Sequence, residues 1–416
     1  MSRSVAIIGT GPAGCYLAQA LLKAEPELAV DLIDRLPVPY GLVRYGVAPD
    51  HQGTKAVTRQ FERLFERQGA RFFGNVTVDA PLLAVLREAY DAVVLAAGLS
   101  SDRRLGIPGE DLDGVIRAGE LTRALYDHPD AARLPKLGRR VVLMGNGNVA
   151  IDLLRLLAKT PEELAGSDLG PEASEWLARS PVEEITIVGR SPAAAARFDA
   201  VMVKELAKLS GVTVNVVDPG TSDEPEGMKK IDALASLAAT QGGPKRIAFR
   251  FSLTPVAVEG ERGHVAAVRF RDGAGAERIV PCDTFLTAIG FEAGADALRR
   301  DRLLGEAFDP EAGILAQGLY AAGWFRRGPR GTIPENRTDA QGLAARILAD
   351  FGNMPQAGSK AGRAVFAGRP AIVTYAGWQC IDAAECAAAQ PNRCRRKIAS
   401  RAEMLQLAVR IEEPQA

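Results

Sequence analysis

The chain has 416 residues, 47% of them hydrophobic and 25% charged, and its 51 basic side chains balance 51 acidic ones. That is a globular composition with room for two or three domains, and a zero formal net charge offers no overall attraction to nucleic acid or an anionic membrane. No apolar run approaches the roughly 18–20 residues that span a bilayer. The chain enters an apolar strand by Val5, which leaves no room for a signal or transit peptide. The expectation is a cytoplasmic protein, or one of the mitochondrial matrix if a transit peptide has been removed, with a monomer favoured.

In chain order, Ser4 to Ile8 reads as a buried strand, Gly9 to Gly14 as a turn, Cys15 to Lys23 as a helix and Ala29 to Ile33 as a second strand. The turn is Gly9-Thr10-Gly11-Pro12-Ala13-Gly14, a G-x-G-x-x-G between strand and helix. Its first glycine permits the tight turn, its second lets the backbone approach a pyrophosphate, and its third lets helix and strand pack closely. The free N–H groups of the helix then face the phosphates. Asp34, followed by Arg35, stands about 20 residues further on, where a carboxylate takes ribose hydroxyls. Pro39 to His51 has two prolines, two glycines and little periodicity, which predicts a long loop suited to covering a flat ring.

A strand at Ala92 to Ala96 ends in Ala97-Gly98. The βαβ signature then recurs: strand Arg140 to Met144, the turn Gly145-Asn146-Gly147-Asn148-Val149-Ala150, a helix through Ala158, and a partner strand Glu184 to Val188 after a helical insertion at 161–179. Alanine is an allowed third residue of this motif. The second strand ends in Gly189-Arg190-Ser191, with an arginine where an acid would stand. An acid would repel a 2′-phosphate and an arginine would pair with it, so NADP is favoured over NAD here.

Beyond this, 218–228 reads as a polar loop, and 246–251, 264–270 and 278–280 read as antiparallel strands with a hairpin turn at Gly273-Ala274-Gly275. Strands are expected at 284–289 and 318–322, a long helix at 338–351, a linker at 352–362 and a mixed, Ala-rich tail from 371. The five cysteines, Cys15, Cys282, Cys380, Cys386 and Cys394, form no C-x-x-C pair, so neither dithiol exchange nor a metal site is expected. No nucleophile triad is visible. The fold class is α/β with two doubly wound, Rossmann-like dinucleotide-binding domains, the second favouring NADP and the first open between FAD and NAD on its motif alone.

The strings V-P-Y-G-L-V-R-Y-G-V-A-P-D-H (38–51), I-P-G-E (107–110), G-N-G-N-V-A-I-D (145–152), I-V-G-R (187–190), K-E-L (204–206) and G-L-Y-A-A-G-W-F-R-R-G-P-R-G-T-I (318–333) resemble the adrenodoxin reductase-type ferredoxin–NADP reductases over nearly the whole chain. The resemblance implies a glutathione-reductase-like architecture. Residues 1–106 and 318–416 would form an FAD domain, interrupted by an NADP domain at 107–317. It implies FAD contacts at Gly41, Leu42, Val47, Trp324, Gly331, Thr332 and Ile333. His51 and Asp152 would lie near the flavin–nicotinamide junction, and Glu205 would accept a hydrogen bond from the nicotinamide amide. The implied partner is a small acidic ferredoxin, most simply of the 2Fe–2S type, met by basic residues such as Arg326, Arg327, Arg330 and Arg337, or by Arg393, Arg395, Arg396 and Lys397 of the tail.

Two features depart from the family pattern. Ser191 replaces a second arginine, which leaves Arg197 to restore the charge or the preference to relax toward NAD, and Asp34 replaces the usual glutamate. Two rival readings are a glutamate synthase small-subunit type oxidoreductase, which normally carries cysteine-rich cluster segments missing here, and a non-catalytic FAD-holding subunit. A flavin monooxygenase would lack the 318–333 string.

Overall fold

A computed structural model describes residues 3–294, 298, 300–305, 308–353 and 360–409. It divides into two compact units, Met1–Ser101 with Phe291–Ala416, and Asp102–Gly290. The boundaries fall at 101/102 and 290/291, not at 106/107 and 317/318. Of the residues between the expected and observed later boundaries, Ile314–Ala316 form the edge strand of the first unit's sheet.

The first unit opens with β1 (Ser4–Ile8), α1 (Pro12–Ala24), β2 (Ala29–Ile33), β3 (Arg71–Phe73) and β4 (Ala92–Leu95). Helix α1 begins three residues before the predicted Cys15, because Pro12 sits in its first turn, where a missing N–H costs nothing. The predicted loop 39–51 contains a single helical turn, Leu42–Tyr45.

In the second unit the strands are β5 (Val115–Arg117), β6 (Arg140–Met144), β7 (Glu184–Val188), β8 (Val212–Val216), β9 (Lys245–Arg250), β10 (Thr254–Glu261), β11 (His264–Arg271), β12 (Glu277–Pro281) and β13 (Thr284–Thr287). Helix α2 is Asn148–Ala158 and α3 is Ala200–Glu205. A parallel sheet runs β5-β13-β6-β7-β9-β8. Strand β9, expected to be antiparallel, pairs parallel with both β7 and β8. The antiparallel meander is β10-β11-β12. Pro255 and Gly260 hid β10, and both lie at register irregularities, the places a strand tolerates them. The predicted polar loop 218–228 is cut short by a helix, Pro225–Ala235, that starts on a proline.

The chain returns to the first unit with β14 (Ile314–Ala316) and β15 (Leu319–Ala321), followed by α4 (Ile333–Gly352), α5 (Tyr375–Ala387) and α6 (Arg401–Val409). This completes a sheet ordered β14-β15-β4-β1-β2-β3, parallel except for β14 against β15. Alternate residues feed two cores. Val5, Ile7, Val30, Leu32, Val94 and Tyr320 pack under α1 and α4, while Ala6, Ile8, Val93, Leu95 and Ala321 pack under helix Ala80–Ala89. Covering both faces is what makes these strands read as continuous apolar runs. Helix α4 starts five residues before its predicted 338, at a capping box in which Thr332 and Glu335 satisfy each other's end of the helix. The mixed tail holds two helices, α5 and α6, joined by the irregular stretch 388–400. Of the predicted linker, 354–359 lie outside the described residues, as do 410–416 of the tail.

Candidate functional site: two glycine-rich turns

Each unit carries the same local device. In the first unit, Gly9 takes φ +110° and donates its N–H to the Ile33 carbonyl at 2.7 Å. In the second, Gly145 takes φ +122° and donates to the Val188 carbonyl at 2.8 Å. These conformations suit glycine alone. A Cβ on Gly9 would lie 2.4 Å from the Ala96 carbonyl oxygen, and one on Gly145 would lie 2.2 Å from that of Ala288. The first glycine of each turn is therefore wedged against a neighbouring strand end. The third, Gly14, is excluded from bearing a side chain by the Gly9 carbonyl, 2.0 Å from its Cβ position.

The middle glycines differ. A Cβ on Gly11 or Gly147 would meet nothing within 4 Å. Neither has a structural neighbour to avoid, so each turn keeps an open side. The helices that follow, α1 and α2, begin on these glycines with no side-chain cap, whereas Asp79, Asp199, Thr332 and Thr374 cap others. Uncapped amides beside an open backbone face are what a pyrophosphate occupies. An adenine dinucleotide fits both turns.

Around the first turn the predicted residues converge. Gly41, at φ +45°, would place a Cβ 3.0 Å from Gly11 Cα, and the Tyr40 amide donates to the Thr10 carbonyl at 3.1 Å, so the loop after Pro39 lies on the turn. Leu42 is an exposed large hydrophobe on that loop, and Val47 is half-buried. Gly323 at φ +57° packs against Ala13, where a Cβ would come within 2.4 Å of the Ala13 methyl. That brings the 318–333 string to the start of α1. Trp324 stacks on Phe291 with ring centroids 5.8 Å apart and donates its indole N–H to the Gly331 carbonyl at 3.2 Å. Gly331 has φ +88°, a conformation that favours glycine. Ala97 is exposed, and the half-buried Gly98 stands at φ +72° with open space at its Cβ position.

Asp34 holds the turn itself. Its Oδ2 accepts from the Thr10 amide at 3.0 Å and the Thr10 hydroxyl at 2.5 Å, and its Oδ1 accepts from the Leu36 amide at 3.0 Å. The shorter aspartate thus ties strand end to turn, and Arg35 beside it is exposed. His51 is half-buried at the head of the short helix Gln52–Lys55.

In the second unit, Asn146 donates from Nδ2 to Ser191 Oγ at 3.3 Å, linking the turn to the end of β7, and Arg190 is exposed there. Asp152 and Glu205 are brought together by a residue the sequence reading missed. Arg155, only 2% exposed, donates to Asp152 Oδ1 at 2.9 Å and to Glu205 Oε2 at 3.3 Å. The three-residue spacing from Asp152 on one helix was the available signal.

The basic clusters are corrected by their burial. Arg326 pairs with Asp339, Arg327 reaches Asp339 at 3.5 Å and Asn336 Oδ1 at 3.0 Å, and both are mostly covered. Arg395 is held by Asp382 and Glu385, and Lys397 is 4% exposed. Arg330, Arg337 and Arg396 remain exposed, and Arg393 is half-buried. None of the five cysteines forms a disulfide. Burial pushes the Cys15 thiol far up and that of Cys282 up to about 12, so neither is a thiolate at neutral pH. No group of three or more metal-ligating side chains exists among the described residues, and no described helix is long and apolar enough to cross a membrane.

Comparisons with known proteins agree with this geometry. A model of the pyridine nucleotide-disulphide oxidoreductase family matches residues 3–323. A cindoxin reductase of Citrobacter braakii is 42% identical, over 97% of this chain and 91% of that protein. The NADPH-ferredoxin reductase FprA of Mycobacterium tuberculosis is 36% identical, over 97% of this chain and 98% of that one. A solved structure of that FprA in complex with NADPH superimposes with a TM-score of 0.89, at 33% identity, over 98% of this chain and 100% of its own. The chain belongs to the pyridine nucleotide-disulphide oxidoreductase family, and within it to the ferredoxin–NADP reductases of the adrenodoxin reductase type.

Proposed function

We propose that this chain is an FAD-dependent reductase that accepts a hydride from NADPH and hands electrons singly to a small ferredoxin. The observation that carries the reading is the repeated turn: two wedged first glycines, two open middle glycines and two uncapped helices, one set in each unit. When bound, the nicotinamide supplies a two-electron hydride and the flavin converts it to single electrons. The chain's own residues hold and orient these groups.

For FAD, Gly9, Gly11, Pro12, Ala13 and Gly14 would cradle the pyrophosphate. Asp34 would meet the ribose with whatever lone pairs Thr10 and Leu36 leave, with Arg35 beside it. Gly41, Leu42, Val47, Ala97 and Gly98 would line the cofactor, and Trp324, Gly331, Thr332 and Ile333 would present the ring-side segment. For NADPH, Gly145, Asn146, Gly147, Asn148 and Val149 would take the pyrophosphate, with Arg190 and Ser191 at the 2′-phosphate. His51, Asp152 and Glu205 would be the polar groups at the hydride-transfer end. Arg155 would fix the two carboxylates of the second unit.

The carrier we propose is an acidic 2Fe–2S ferredoxin, met by a monomer in the cytoplasm. The relatives compared are bacterial, which gives no support to a mitochondrial setting. A second reading of the partner follows from the Citrobacter relative, which is named for cindoxin rather than ferredoxin. The test is NADPH-driven reduction of cytochrome c with purified carriers added one at a time. The proposal expects little rate without a carrier and a large, salt-sensitive rise with a ferredoxin, since complementary charge steers encounter. A rise with cindoxin alone would favour the second reading, and no rise with either would contradict the carrier role.

A further inference from the structure

The stretch after Ser191, which replaces one of the family's arginines, takes a definite course in the structure. Ala196 and Asp199 are extended, at ψ 153° and 130°. Ala196 and Phe198 are 1% and 2% exposed, while Arg197 and Asp199 between and beyond them are exposed. In an extended segment successive side chains leave opposite faces, so the two buried residues anchor the stretch and Arg197 projects away from them.

The segment is laid along the second glycine-rich turn. The Arg197 amide donates to the Asn146 carbonyl at 3.1 Å, Arg197 and Gly147 form a parallel bridge, and the Asp199 amide donates to Asn148 Oδ1 at 2.8 Å. The backbone of Arg197 is thereby fixed beside Gly147, the glycine with open space at its Cβ position, and beside the uncapped start of α2. The neighbouring cation Lys230 is committed elsewhere, donating to the Ala196 carbonyl at 2.7 Å. Asp199 caps α3 through the Val201 amide at 2.9 Å. Among the described residues no carboxylate pairs with the Arg197 guanidinium.

We propose that Arg197 binds the pyrophosphate of the nicotinamide dinucleotide. The inference rests on the reading of this turn as the NADPH site and deepens it. A guanidinium offers a planar fork of donors matched to phosphate oxygens. Its anchoring at Gly147 and Asn148 places it with the pyrophosphate, whereas Arg190 and Ser191, at the end of β7, stand with the adenine ribose. The charge lost at Ser191 is thus compensated at a different phosphate. The chain would gain general dinucleotide affinity without regaining full discrimination between NADPH and NADH.

The test is calorimetric binding of NADP+, NAD+ and adenosine 2′-monophosphate to FAD-loaded protein. Arg197→Ala is expected to weaken NADP+ and NAD+ alike, by about tenfold or somewhat more, as for loss of a charge-assisted hydrogen bond. It should leave adenosine 2′-monophosphate, which has no pyrophosphate, unchanged. Arg197→Lys should recover part of the affinity. Weakening of NADP+ and adenosine 2′-monophosphate with NAD+ spared would overturn the proposal by moving Arg197 to the 2′-phosphate. Unchanged binding of all three would make it a surface cation. Gly147→Val separates the two levels. If it abolishes dinucleotide binding while Arg197→Ala does nothing, Arg197 alone is wrong; if it leaves binding intact, the reading of the turn is wrong as well.

Discussion

The five glycines of the two motifs do different jobs although they look alike in sequence. Gly9 and Gly145 are demanded by the fold, because a methyl at either would strike a carbonyl 2.4 or 2.2 Å away. A Cβ on Gly11 or Gly147 would meet nothing, so on the proposed function only a ligand demands glycine there. This separates two variants sharply. Gly11→Ala should fold with near-wild-type thermal stability as apoprotein yet bind FAD far more weakly, measured by titrating FAD into it. Gly9→Ala should lower the melting temperature of the apoprotein itself. Equal stability of the two apoproteins would contradict the division. The motif was readable from spacing, but which glycine answers to the protein and which to the ligand needed the neighbouring strand ends, Ala96 and Ala288. Arg155 was only half legible: its spacing from Asp152 could be read, but its second partner, Glu205, is distant in sequence and brought near only by the fold.

At the scale of elements, the loop after Pro39 is held by the tail. Arg44, in the turn Leu42–Tyr45, pairs with Glu385 of α5, lies over the rings of Tyr45 and Trp378, and has its carbonyl bonded by Lys55 at 3.3 Å. Glu385 is fully buried and also accepts from Arg395 at 3.2 Å and the Ile398 amide at 2.9 Å. Removing one member of such a buried pair leaves an uncompensated charge. Glu385→Ala should therefore cost about 3–5 kcal/mol in denaturant unfolding. Arg346→Ala, which breaks the half-exposed Arg346–Asp350 pair on α4, should cost well under 1 kcal/mol. Similar losses for both would deny the clasp its weight. This element was the least legible part of the chain. The tail's alanines blur helical periodicity, and Arg44 reads as a loop charge until α5 is folded over it. Strands β1, β2, β6 and β7, by contrast, matched their predicted bounds, because largely buried apolar runs, three of them closed by glycine, leave little ambiguity.

At the scale of the whole molecule, a zero formal net charge conceals a division of labour in which each unit builds its own parallel sheet, core and dinucleotide turn. The first unit is discontinuous, leaving at Ser101 and returning at Phe291. This arrangement was legible in outline from the two motifs and the 318–333 string. Its later boundary was not, since short strands such as β14 carry too few residues to show a period. Duplication of the turn in a chain with no redox cysteine pair points to electron transfer between two bound dinucleotides. The most direct check is anaerobic mixing of the purified, FAD-loaded protein with NADPH, and separately with NADH, while following the long-wavelength flavin absorbance. The account predicts bleaching by both, faster with NADPH, with the advantage narrowed by Ser191. A protein that holds no flavin, or whose flavin neither nucleotide bleaches, would contradict it.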